Sequence, residues 1–568
     1  MKKLIVCAVL ALLAPHAYVR AQSTPPPDIT GLWGATLHFG PDIGGPLIIY
    51  VGADGRYHAD LAGYTVFASV QPGVRIKGGL DFEFALPDGK GSFRKGYWIQ
   101  QGVATPVRLV PDGPNRWRGT VVPLQYRLTY YMPISRQSDG TLRTYLRNPE
   151  RNFGWFTRAK RLEVNGKDAR LLGSMFGRGP DTTLAQGRYE DGVITLPLRG
   201  GTYEFTKVTD SSSDFYPRGN PPVRYHYATP LQLGDGWPVG TLDEVGISRE
   251  QIERFVQMLI DMPMDSVNTL QIHSLLIARH GKLVLEEYFH GAHRDMPHNT
   301  RSAAKSWTNV LIGAAMQSGV PLRTETPVYQ TMLGTVPPDL DPRKKAMTLE
   351  HLLTMTAGFN CDPDDTTSAN EDVMDDRGVE HWWDYTLKTP LISAPGEKYY
   401  YCSTEPHLAG GMLAKLAGGS QLALFQRLLD QPMQLSNYYL GLRDDDLYGG
   451  GGSSFTSRDF LKLAQLFVNN GRWNGKQIVS ADWVRRSTAP LRDFSANQQY
   501  GFLWNSVAYD YNGRKIRAFF AGGNGGQVSM GIPDLDLVIA FTGGNYNDPV
   551  LFTGQRVLVP QWILPAVR

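Results

Sequence analysis

The chain changes texture near residue 210, and that change limits its possible folds more than any other feature. From Ile29 to about Phe205, short runs rich in Val, Tyr, Phe, Leu and Thr alternate with turn signals. These are Ala53-Asp54-Gly55, Pro87-Asp88-Gly89, Pro111-Asp112-Gly113, Ser138-Asp139-Gly140, Asn165-Gly166 and Asp191-Gly192. Asp-Gly and Asn-Gly pairs supply the left-handed residues that tight hairpin turns need. Turns this frequent, with no long helical period between them, predict an all-β barrel or sandwich over residues 28–208. A polar, proline-bearing stretch follows, from Asp210-Ser211-Ser212-Ser213 through Pro217, Pro221 and Pro222, and reads as a linker over 209–239.

Beyond the linker the apolar period lengthens. Helical patterns occupy 249–262, 302–318, 347–355, 404–417, 421–430 and 457–470. Strand patterns flank them at 273–279 and 283–289, and again at 515–521, 526–532 and 536–542. Strands at both ends with helices between predict an α+β domain over 240–568, its antiparallel sheet assembled from the two termini of the domain.

The first 21 residues read as a secretory signal peptide. Lys2 and Lys3 give a positive start, Leu4 to Ala14 is apolar, and Val19-Arg20-Ala21 resembles a cleavage site. The apolar run is too short to span about 30 Å of hydrocarbon, and no later stretch is longer, so a soluble secreted or periplasmic protein is expected. Lys and Arg total 57 against 54 Asp and Glu, a balance of +3 with no run of five like charges. A dedicated nucleic-acid binder would show a concentrated basic face instead. Of three cysteines, Cys7 leaves with the leader. Cys361 and Cys402 remain, an even count for an oxidising compartment, and a disulfide between them is expected; two separate buried thiols are the alternative.

Three segments carry chemistry. Ser302-Ala303-Ala304-Lys305 is an S-x-x-K tetrad, and residues three apart share one face of a helix. Trp307, Val310, Leu311 and Ala314 continue the period, so the serine is expected at a helix N-terminus, where the dipole favours developing negative charge. A serine hydroxyl needs a neighbouring base to take its proton, and a desolvated lysine can be that base. A second tetrad, Ser92-Phe93-Arg94-Lys95, lies in strand-like text and reads as coincidence. The second segment is Pro395-Gly396-Glu397-Lys398-Tyr399-Tyr400-Tyr401-Cys402-Ser403, a turn, an aromatic stretch and a helix start. The third is Gly522-Gly523-Asn524-Gly525-Gly526-Gln527, leading into the strand Val528 to Ile532, where glycines at an edge would let a substrate backbone approach.

In this order the three segments resemble the motifs of the serine beta-lactamase-related hydrolases, the superfamily of class C beta-lactamases, DD-peptidases and many esterases. Asn299-Thr300-Arg301 and the stretch Leu349 to Phe359 fit the same pattern, and the similarity covers 240–568. The resemblance implies that Ser302 is the acylated nucleophile, Lys305 its base or proton relay, and Tyr401 the group that carries the proton to the leaving atom. It also implies that Ser403 stands where Asn is usual. Asn524, Gly525, Gly526 and Gln527 would then bind substrate, and the N–H of Ser302 with that of Gly526 or Gln527 would form the oxyanion hole. Donors of that kind contribute about 3–4 kcal/mol each. The implied reaction is acyl transfer to water from a small ester or a D-amino-acid-type amide, with beta-lactamase or DD-peptidase as the alternative. A non-catalytic acyl sensor is a reading from a different class. The third motif departs from K-T-G and carries no cation, which argues against efficient beta-lactam turnover.

The remaining polar groups have simpler explanations. No cofactor is implied. His290, His293 and His298 lack the spacing of a zinc site. His351 is expected to support the helix start after Thr348. Asp362, Asp364 and Asp365 read as a solvated loop, and Trp382 and Trp383 as packing.

Overall fold

The computed structural model describes residues 28–40, 44–67, 81–83, 94–150 and 156–568. The leader, the Pro87-Asp88-Gly89 turn and Ser92 lie outside the described residues.

The first half is more than one sheet. Its strands are β1 (Gly31–Phe39), β2 (Gly45–Val51), β3 (Tyr57–Leu61), β4 (Tyr64–Phe67), β5 (Asp81–Glu83), β6 (Arg94–Gln100), β7 (Val103–Pro111) and β8 (Arg116–Val121). They continue as β9 (Tyr126–Arg136), β10 (Leu142–Thr144), β11 (Thr157–Asn165), β12 (Asp168–Met175), β13 (Thr182–Glu190), β14 (Val193–Leu198) and β15 (Gly201–Lys207). β1 and β9 to β15 close an eight-stranded antiparallel barrel in the order β1-β15-β14-β13-β12-β11-β10-β9. Of the two expected forms, barrel and sandwich, the structure takes the barrel. Alternate residues point inward, and Trp33, Tyr130, Met132, Leu171, Tyr203 and Phe205 fill the interior. Tyr130 and Tyr203 meet edge to face at 4.9 Å.

β2 to β8 form an insertion between β1 and β9, and they do not join the barrel. β7 pairs instead with the strand Tyr438–Arg443, through Ala104 with Leu440 and Val103 with Gly441. That strand pairs with Ser454–Phe455, which pairs with His298–Asn299. A hydrogen-bonded path therefore runs from the insertion to the residues just before Ser302. Tyr97 and Tyr438 add a hydroxyl–hydroxyl bond of 3.0 Å across the same junction.

The second half has the expected α+β layout. Its main sheet has β17 (Lys282–Tyr288) at one edge, then β16 (Ile272–Arg279), then Leu537–Gly543, Gln527–Ile532, Arg514–Gly523, Asn505–Tyr511, Gln498–Tyr500 and Arg492–Ser495. The first and last strands of the domain are thus neighbours, with β16 and Leu537–Gly543 in antiparallel register. Helix α1 (Arg249–Ile260) covers one face through Phe255, Val256 and Leu259. Helices α2 (Ala304–Gln317), Thr404–Ala417 and Ser457–Val468 pack into the core of the other. His351 closes a capping box with Thr348, as the sequence indicated. The stretch from 209 to 239 is not a free spacer: Phe215, Tyr225 and Trp237 are buried.

Among the described residues no helix is long and apolar enough to cross a membrane.

Candidate active site

α2 is buried along its whole first three turns, from Ala304 to Ala315. One tight 3-10 turn, Arg301–Ala303, precedes it, so Ser302 stands just ahead of the α-helix and not inside it. The turn is fixed from both sides. Thr300 sends its N–H and its hydroxyl to the Ser453 carbonyl, at 3.0 and 2.9 Å. Asn299 Oδ1 accepts the Arg301 N–H at 2.9 Å.

Lys305 is 2 % exposed and surrounded by acceptors. Its Nζ donates to Ser302 Oγ at 3.0 Å and to the Gly450 carbonyl at 2.5 Å. It also sits 4.8 Å from the centroid of the Tyr401 ring, a cation–π geometry. The structure thus brings Ser302, Lys305 and Tyr401 together, with one difference from expectation. Tyr401 offers its ring face to the ammonium, and its hydroxyl has no hydrogen bond to either residue. Catalytic hydrogen bonds are often long before substrate arrives.

Tyr401 is 38 % exposed while the next residue, Cys402, is buried and disulfide-bonded to Cys361, with 5.6 Å between the two Cα atoms. Adjacent residues of an extended segment face opposite ways, so the bridge anchors the backbone while the tyrosine faces the site. Beneath it lies Glu405, whose carboxyl is pushed well above its ordinary range by burial. Tyr399 packs on Tyr500 at 5.4 Å, and burial raises both hydroxyls, with Tyr401 and Glu405 adding to the effect.

The other expected site residues are placed less openly. Ser403 is fully buried and its hydroxyl donates to Glu371 Oε1 at 2.7 Å. Gln527 is buried as well: its amide donates to the Gly543 carbonyl at 2.7 Å and accepts the Gly543 N–H at 3.2 Å, stapling two strands of the sheet. Asn524 is paired with Asn547, side chain to side chain at 2.7 Å and through the Asn547 N–H at 2.8 Å. Gly525 and Gly526 form the rest of the hairpin, both with positive φ. Gly523 ends its strand directly against the nucleophile turn. A Cβ there would overlap the Thr300 carbonyl and crowd the Ala303 N–H, so this glycine makes room for the protein itself.

One segment escaped the sequence reading. Gly449-Gly450-Gly451-Gly452 lies along the start of α2 and supplies the carbonyl that holds Lys305. Thr308 donates to the Gly449 carbonyl at 2.9 Å. The Gly449 N–H reaches His407 Nδ1 at 3.4 Å, and His407 Nε2 lies 2.8 Å from Asp444 Oδ2. A Cβ at Gly450 would overlap the Ser403 carbonyl, so glycine is required for the loop to come this close. The run of four glycines was the available signal.

His290 and His298 do come together, joined by His273 from β16, while His293 is exposed. His273 Nδ1 and His298 Nε2 are 2.8 Å apart. Among the described residues no group of three or more His, Cys, Asp or Glu side chains has the geometry of a metal site. Trp382 is buried packing, and the Asp362–Asp365 loop is mostly exposed.

Residues 273–550 match the family model described as Beta-lactamase. The matched stretch contains Ser302, Lys305 and Tyr401. No curated protein matches the chain. Solved structures similar to it include EstCE1, a hydrolase with promiscuous acyltransferase activity, at 16% identity and a TM-score of 0.43, over 56% of this chain and 97% of that one. A penicillin-binding protein homologue from Caulobacter crescentus has 15% identity and a TM-score of 0.42, over 55% of this chain and 96% of its own. A family VIII carboxylesterase has 16% identity and a TM-score of 0.42, over 56% and 94%.

Proposed function

We propose that this protein is an exported serine hydrolase that cleaves small esters or D-amino-acid-type amides through an acyl-Ser302 intermediate. The observation that carries the reading is the 3.0 Å contact between Lys305 Nζ and Ser302 Oγ, in a pocket where the lysine is almost fully buried. In its neutral form the amine accepts the serine proton while the Gly450 carbonyl accepts one of its own N–H bonds. The serine oxygen then attacks the acyl carbon, the leaving group departs with a proton relayed past Tyr401, and water releases the acyl group. Asn524, standing where penicillin-recognising members have a threonine or lysine, brings no charge to that position. Export from the cytoplasm rests on the leader-like residues 1–21 and agrees with the Cys361–Cys402 disulfide.

Fluorophosphonate labelling followed by peptide mapping tests the reading. The label is expected on Ser302 and absent in Ser302→Ala, with Ser92→Ala labelled as the native protein is. Label on another serine, or none on a folded protein, would refute the assignment.

A further inference from the structure

The acyl-transfer chemistry leaves one cation beside Ser302 unused. Arg301 directly precedes the serine, so their Cα atoms are one peptide unit apart. Its backbone is left-handed, φ 51°, a conformation that a long side chain adopts only where the surroundings impose it. Asn299 imposes it by taking the Arg301 N–H, and pairing of His298–Asn299 with Ser454–Phe455 fixes Asn299 in turn.

The guanidinium lies against Tyr546, 5.1 Å from the ring centroid. Its buried Nε has no hydrogen-bond partner. Among the described residues it forms no ion pair. The acid that feels its charge, Asp372, is itself pushed towards the neutral form by burial and by Glu371. Arg301 also lines a cavity of about 120 Å3 together with Asn299, Ser454, Tyr546, Gln125 and Tyr126. Glu150 reaches this cavity too, but Arg127, Thr129 and Asn148 already occupy its oxygens. A guanidinium with an unsatisfied N–H, resting near an aromatic ring and carried by the residue before the nucleophile, is suited to a carboxylate.

We propose that Arg301 is the anion-recognition residue of this site, and that the preferred substrates are esters or amides carrying a carboxylate. The proposal rests on the acyl-transfer reading of Ser302 and narrows its substrate class. It also relocates the missing charge: the third motif has no cation, and the residue before the nucleophile supplies one.

The test compares kcat/KM on the full chain for two pairs of substrates that differ by one charge. On the acyl side these are the p-nitrophenyl half-ester of adipic acid and the corresponding methyl p-nitrophenyl diester. On the leaving-group side they are 4-carboxyphenyl butyrate and its methyl ester. The anionic member is expected to be preferred in at least one pair by about tenfold to a hundredfold, the contribution of a hydrogen bond to a charged group. Arg301→Gln is expected to bring that ratio down towards one, and Arg301→Lys to keep part of it. A native protein with no anionic preference in either pair overturns the proposal, and so does an Arg301→Gln protein that retains the preference. Failure of the underlying reading has another signature: none of the four esters is cleaved and Ser302 takes no label, and both conclusions fall together.

Discussion

Lys305 has more than one role open to it because it meets three groups of different kinds. Its Nζ donates to the Ser302 hydroxyl and to the Gly450 carbonyl, and it lies 4.8 Å from the centroid of the Tyr401 ring. In the proposed reaction Lys305 and Tyr401 form one proton relay. Lys305→Ala and Tyr401→Phe are each expected to lower kcat by about a hundredfold or more, with less effect on KM. The double variant is expected to be little worse than the worse single one, because members of one relay are not additive. Steady-state kinetics of all three decide this, and fully additive losses would mean separate roles. The Ser302 and Lys305 pair was legible in the sequence because a spacing of three on a helix is a local geometry. The Gly450 carbonyl was not legible: it reaches Lys305 across a long stretch of chain, and a glycine run shows where backbone can approach without naming what it approaches.

Among the elements, the segment between Thr356 and Ser403 is held at both ends. At one end the bridge from Cys361 joins Cys402, and next to it Tyr400 donates its N–H to the Met355 carbonyl at 2.9 Å. Closing a loop of 41 residues removes conformations from the unfolded chain, for which the chain-entropy model gives roughly 4 kcal/mol as an upper guide. Reduction with dithiothreitol is expected to lower both the melting temperature and kcat, because the same backbone presents Tyr401. A thiol titration of the unreduced, denatured protein checks the premise, and two free thiols would remove it. In this half the longer helices and the five sheet strands from β17 to Arg514–Gly523 were legible from their periods, since buried faces repeat locally, whereas Asn505–Tyr511, the two strands beyond it and Tyr438–Arg443 were not read. Short helices such as Glu371–Asp376 and Trp382–Lys388 escaped because one or two turns leave no period to read. The insertion β2 to β8 escaped for another reason. Turn signals are alike whether a hairpin stays in the barrel or leaves it, and pairing partners are not encoded in local alternation.

Across the whole molecule, the barrel and the hydrolase domain meet over polar groups that are costly to charge. Arg147 is fully buried and donates to the Ser266 and Thr269 carbonyls. Desolvation lowers it to about 10, against its ordinary value above 12. Nearby, burial holds His290 down to about 3 and His298 to about 4, and it lowers His273 too, with help from the other two histidines and Arg147. Arg127, Glu150 and Asp214 face the same junction. The direction of the pH effect follows from proton counting. Between about pH 4 and pH 6.5 the unfolded chain protonates histidines that the folded protein keeps neutral. The unfolded state then binds more protons, so stability rises with pH across this window and is lost as pH falls through it. Melting temperatures at pH 7 and pH 5 check this, and His298→Gln is expected to shrink the difference. An unchanged difference in that variant would place the pH dependence elsewhere.

The junction between β7 and Tyr438–Arg443 has a consequence in time. A chain made from its N-terminus completes the insertion early, yet one partner of β7 is more than three hundred residues away. At about 5–20 residues per second that partner follows tens of seconds later. Until then part of the β7 edge is an open template for any passing strand, the situation in which growing chains aggregate. Pro106, near the middle of β7, removes one N–H from that template. Maturation of this protein is thus a wait, in which an early sheet keeps one edge vacant for the late strand that leads, by way of Ser454–Phe455, to the nucleophile.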